Sequence, residues 1–125
     1  MEANLKDLIG KTMVSVEQYG DEEIVFTTDE GKTFKLYHNQ DCCESVTVED
    51  VIGNLSDLVG SPILMAEEVS SNENPEGVTK EYQDSFTWTF YKFATAKGYV
   101  TIRWYGKSNG SYSEGVDFEE VNHED

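Results

Sequence analysis

Residues 85–106 read SFTWTFYKFATAKGYVTIRWYG, and the way this stretch folds back on itself decides the architecture. Both halves alternate with a period of two, the mark of strands with one buried face. The linking AKG (96–98) predicts a three-residue hairpin loop with glycine at its left-handed position, which sets Thr95 opposite Tyr99. In that register Phe86, Trp88, Phe90, Val100, Ile102 and Trp104 share the core face. Thr87, Thr89, Tyr91, Phe93, Tyr99, Thr101, Arg103 and Tyr105 share the other. Lys92 then falls on the core side, so the strand is expected to bulge there or to lie at a sheet edge. A slip of one residue would exchange the two faces.

The second face offers tyrosines beside an arginine, residue types favoured at binding hot spots for their contact area and directed hydrogen bonds. The same groups can stack a nucleobase and pair its phosphate. The adjoining YGKSNGSYSEG (105–115) has turn chemistry and lacks the GxxxxGK[ST] spacing of a phosphate-binding loop. The candidate contact residues are therefore Tyr91, Tyr99, Arg103, Tyr105, Asn109 and Tyr112. An ordinary, partly exposed sheet face with cross-strand aromatic pairs is the plainer alternative.

Upstream, TMVSVEQY (12–19), EIVFTT (23–28) and TFKLYH (33–38) read as strands, with DEGK (29–32) as a hairpin turn. SVTV (45–48) reads as a short strand. EDVIGNLSDLVG (49–60) spaces its apolar residues as two short helical turns, and LKDLIGK (5–11) as another. PILMAEEV (62–69) is strand-like, and 70–84 is a long loop. GSYSEGVDF (110–118) completes a meander. The expected fold is α+β, mostly β: a single antiparallel sheet of six to eight strands with short helical segments. Residues 1–118 form one domain, and 119–125 an acidic, disordered tail.

Nine basic residues against 25 acidic ones give a net charge of −16 in 125 residues. Residues 1–83 carry five bases and 18 acids, and 114–125 carry six acids and no base. The aromatic stretch 84–113 is the exception, with Lys92, Lys97, Arg103 and Lys107 against Asp84. Such a surface repels nucleic acid and anionic membranes and favours cationic partners. There is no long apolar run and no signal-peptide pattern, so a cytoplasmic, soluble chain is expected.

HNQDCCESV (38–46) gathers the most reactive side chains: His38, Asp41, Cys42, Cys43 and Glu44. Adjacent cysteines point apart in an extended chain, which disfavours a zinc site, and no metal or other cofactor is expected. The flanking Asp41 and Glu44 raise thiol pKa values and oppose an activated nucleophile paired with His38. A vicinal disulfide demands a strained ring. Small, weakly polar cysteines packed beneath a turn fit best. No GxSxG, HExxH or CxxC occurs, and the adjacent pairs Glu67-Glu68 and Glu119-Glu120 point apart on a strand.

With QDCCESV (40–46) and TIRWYGKSNGSYSEGVDF (101–118), the chain resembles a family of small uncharacterised proteins of bacteriophages and bacterial genomes. The resemblance spans about Leu8 to Phe118. It implies no catalytic residue, and it implies a phage or mobile-element role, a setting in which small acidic domains bind and block host proteins.

The expectation is a non-enzymatic acidic binding protein, acting on a host or defence protein with a basic surface, as a nucleic-acid mimic or inhibitor. The alternative is a small-molecule or nucleotide binder using the tyrosine and arginine face. A cysteine-dependent enzyme ranks last. Direct binding of nucleic acid or membrane is not expected, and exposed edge strands are compatible with a homodimer.

Overall fold

The structure, a computed structural model, describes residues 3–39, 44–75, 85–108 and 114–121. Among these residues there are eight strands: β1 (Met13–Tyr19), β2 (Glu23–Thr28), β3 (Thr33–Tyr37), β4 (Glu44–Ile52), β5 (Met65–Ser71), β6 (Ser85–Thr95), β7 (Gly98–Ser108) and β8 (Asp117–Val121). The strands form two antiparallel sheets of four, ordered β1-β2-β3-β8 and β4-β7-β6-β5. A single large sheet was expected, so this is a correction. After β7 the chain does not extend the meander but crosses to the other sheet, where β8 pairs with β3.

The β2–β3 turn is as the sequence suggests. Between β2 and β3, the Thr28 hydroxyl oxygen accepts from the Glu30 and Lys32 amides, and Gly31 adopts φ 83°. Elsewhere local reading fails. The expected helical turns of 49–60 shrink to one 3-10 turn, Leu55–Leu58, because Glu49–Ile52 continue β4 along β7. A second 3-10 turn, Leu5–Leu8, is closed by a capping box between Asn4 and Asp7. β8 takes in Glu119, Glu120 and Val121, so the sheet runs past the expected domain end at 118.

The β6–β7 hairpin corrects the expected register. Thr95 stands opposite Gly98, not Tyr99, leaving a two-residue loop, Ala96-Lys97. Thr95 is buried and pinned: its hydroxyl donates to the Asp57 carbonyl at 2.5 Å and accepts from the Lys97 amide at 3.1 Å. One residue less in the loop inverts the faces. Tyr91 and Phe93 turn inward with Val100, Ile102 and Trp104, while Phe86, Trp88 and Phe90 turn outward. Lys92 now points to solvent, which removes the need for a bulge.

One core lies between the sheets. Phe26 and Phe34 of the first sheet meet Phe93, Ile102 and Trp104 of the second, with the Phe26 and Phe93 rings 5.3 Å apart. Backbone hydrogen bonds join the sheets at β1 and its turn: Gly60 N–H to Met13 O at 2.9 Å, and Val48 N–H to Asp21 O at 2.7 Å. Among the described residues none runs directly from β5 to β8. Residues 3–10 span that gap instead, with Ala3 N–H on Phe118 O and Gly10 N–H on Ile63 O.

Candidate functional site

The tyrosines and arginine expected on one surface are divided between two. Tyr91 faces inward and is buried. Tyr99 is 76% exposed beside the hairpin tip. Arg103 and Tyr105 lie on the outer face of the second sheet, where Tyr105 packs 4.5 Å from Trp88. A bulge at Glu49 brings two successive carboxylates to Arg103, whose Nη2 donates to Glu49 Oε1 at 2.8 Å and stands 3.7 Å from Asp50 Oδ2. The guanidinium also covers the Trp88 ring at 5.3 Å, and Trp88 donates its indole N–H to Asn74. Trp88 is fully buried although it faces outward. A phosphate brought to Arg103 would compete with two carboxylates. Asn109 and Tyr112 lie outside the described residues.

Of the cysteine corner, Asp41, Cys42 and Cys43 also lie outside the described residues. His38 is placed. Its Nδ1 meets Gly115 O at 2.7 Å and its Nε2 meets Glu44 Oε1 at 3.0 Å, with both side chains almost wholly buried. Both ring nitrogens face oxygens, so the ring is held from both ends. The residue ties the end of β3 to the start of β4 and to the segment leading into β8.

That segment is held at a second point. Glu114 accepts from Ser108 Oγ at 2.6 Å and Thr87 Oγ1 at 2.9 Å. Partial burial pushes its pKa up, but hydrogen bonds from Ser108, Ser85 and Thr87 outweigh this and hold the carboxyl below its usual range. The segment passes so close to β7 that a Cβ on Gly106 would lie 2.5 Å from the Glu114 carbonyl oxygen.

One concavity is a feature the sequence did not suggest. An open groove of about 970 Å³ runs between the edge strands β5 and β8, with residues 3–6 along it. Its walls carry Glu67, Glu68, Asp117 and Glu119, and Lys6 is the one cation among the described lining residues. Tyr91 lies at its floor, its hydroxyl donating to Glu68 Oε1 at 2.5 Å. Burial first, and then this bond to Glu68, push the Tyr91 pKa well above the usual phenol value. Glu68 sits opposite Tyr91 in the ladder and so points toward the sandwich interior, yet it is exposed. The sandwich is therefore open along this side. The sequence does hold a signal for it: in MAEEVSS the inward positions after Ala66 are Glu68 and Ser70, a polar run where a closed sandwich needs apolar residues.

The carboxylates continue onto the outer face of the first sheet. The ladders place Glu17, Glu23, Asp117 and Glu119 there with Tyr19, Tyr37 and a single lysine, Lys35. Lys35 pairs with Glu23 at 3.5 Å and covers the Tyr37 ring at 4.3 Å. Burial and a hydrogen bond with Glu119 push the Tyr37 pKa up to about 12. Lys11 and Arg103 are likewise paired, with Glu30 and with Glu49 and Asp50.

Among the described residues no three His, Cys, Asp or Glu side chains gather as a metal site, and no helix is long and apolar enough to cross a membrane. No curated protein and no solved structure matches the chain. A family model described as a domain of unknown function, DUF7448, matches residues 6–118, and the chain belongs to that family.

Proposed function

We propose that the protein is a non-enzymatic binding protein that docks its carboxylate surface onto a basic surface of a partner protein. The observation that carries this reading is the groove between β5 and β8, whose walls bring Glu67, Glu68, Asp117 and Glu119 together against Lys6. The tract extends over the outer face of the first sheet, and Lys35 there is already paired with Glu23, so the excess negative charge is available to a partner. A net charge of −16 adds long-range attraction for a cationic surface. In the phage or mobile-element setting that the sequence resemblance implies, the partner is a host nucleic-acid-binding or defence protein. The carboxylates then occupy a site built for phosphates, in the cytoplasm.

The test is capture from a nuclease-treated bacterial lysate, washed across a salt series, with two variants beside the wild type. One reverses charge at the groove (Glu67→Lys with Asp117→Lys), and the other reverses it at the β2–β3 turn (Asp29→Lys). The expected result is a basic protein that elutes at moderate salt, is lost with the groove variant and is retained by the turn variant. Exposed charges are screened over about 8–10 Å at physiological ionic strength, so retention unchanged by salt would overturn the reading.

A further inference from the structure

We propose that the open seam accepts an extended, lysine- or arginine-bearing segment of the partner as an added strand beside β5. This rests on the binding reading above and specifies its mode. Among the described residues β5 pairs with β6 alone and ends its sheet, so its second edge has no neighbouring strand there and faces the groove, with the Leu5–Leu8 turn nearby. An edge of this kind is a template for another strand, and main-chain hydrogen bonds supply affinity where side chains supply choice. The other sheet edges near the core are engaged: β1 is bridged to Val59 at Met13, and β4 is tied to Asp21 through Val48. Along β5 the interior-facing Glu68 and Ser70 stay exposed. A further strand would cover them and extend the second sheet into the groove beside residues 3–6.

The groove dictates the pattern of that strand. Ala66 to Val69 line the groove and extend about 13 Å, so about four or five partner residues span it. Alternate side chains would point inward, over Tyr91 and Phe118 and toward Glu68. Those between them would lie outside, beside Glu67 and the exposed Val69. Basic residues at inward positions meet Glu68, and those at outward positions meet Glu67 and, across the groove, Asp117 and Glu119. A second copy of this chain fits poorly, because antiparallel pairing of β5 with itself sets Glu67 and Glu68 against their own like charges.

The experiment uses the whole protein and two fluorescent octapeptides of alternating lysine and threonine. One is unmodified, and the other is N-methylated at alternate backbone nitrogens, which keeps its charge and removes strand pairing. Affinity is measured at low salt, with amide NMR shifts of the protein recorded alongside. The expected result is binding of the unmodified peptide, at least tenfold weaker binding of the N-methylated one, and shift changes centred on Met65–Ser71. Equal affinities would overturn strand addition while leaving an acidic docking surface in place. No binding of either peptide would also overturn it, and the lysate capture then decides the docking surface by itself.

Discussion

The Tyr91 hydroxyl donates to Glu68 across the β5–β6 pair, so a buried phenol is joined to a carboxylate that water reaches. The bond and the burial both favour the protonated phenol. The unfolded chain releases this proton near pH 10 while the fold retains it, so stability falls as pH rises above that value. The loss is at most about 1.4 kcal/mol per pH unit for this one group. In Tyr91→Phe that component is absent. Urea unfolding at about pH 8 and about pH 11 should show a smaller alkaline loss in the variant than in the wild type. Tyr19 and Tyr37, whose pKa values are also raised, leave some slope in both.

Glu114 gives the opposite sign at acid pH. Its pKa is lowered in the fold, so its contribution is present above the usual value of 4.5 and is lost as pH falls through the folded value. Glu114→Gln should flatten the acid limb of the stability curve. At neutral pH it should cost about 1–2 kcal/mol, the weight of charge-assisted hydrogen bonds. Chemical unfolding at several pH values between about 3 and about 7 measures both effects.

Gly106→Ala tests close approach with no backbone strain involved, since Gly106 is not among the positive-φ glycines. The new methyl meets the Glu114 carbonyl at 2.5 Å and the Glu114 Cβ at 3.0 Å. The segment must move away from β7, at a cost of about 1–3 kcal/mol. A urea midpoint unchanged from the wild type would show that the segment does not cross there.

His38 and Glu44 form a buried pair, so His38→Ala removes a hydrogen bond from a buried carboxylate and the tie to Gly115 O. The variant should be destabilised by about 1–3 kcal/mol. A double-mutant cycle with Glu44→Ala should show the two losses to be clearly less than additive. Additive losses would mean that the pair contributes no coupling.

The face assignment of β6 is also measurable. Phe93→Ala empties a core position against Phe26 and should cost about 3–5 kcal/mol. Phe90→Ala, on the outer face and only half-buried, should cost clearly less. The reverse order would restore the three-residue loop.

That pair of residues shows what the sequence could and could not say. Alternation in 85–106 identifies two strands, but both faces of β6 carry large aromatics, so the pattern leaves the buried face open. Loop length decides it, and the loop length is fixed by Thr95 bonding to Asp57, 38 residues away. Lys92 was the local hint, since only the shorter loop turns it to solvent. β1, β2 and β3 were legible because each alternates and is bounded by turn residues. Val51 and Ile52 were not, because pairing with β7 overrides their helical spacing. The division into two sheets rests on where β8 docks, and no local pattern encodes its pairing with β3. The groove was hidden for the same reason, since it forms between edge strands that are far apart in the chain.

Trp88 and Trp104 come from the two strands of one hairpin yet face opposite sides of the same sheet. One lies beneath a guanidinium on the outside, and the other is in the apolar core. Their fluorescence therefore samples two separate environments. With Trp88→Phe, the remaining indole reports the interior alone. With Trp104→Phe, it reports the outer layer built by Arg103, Tyr105 and Asn74. A pair of single-tryptophan variants thus separates loosening of this outer layer from melting of the core, a distinction that one unfolding curve of the native chain would merge.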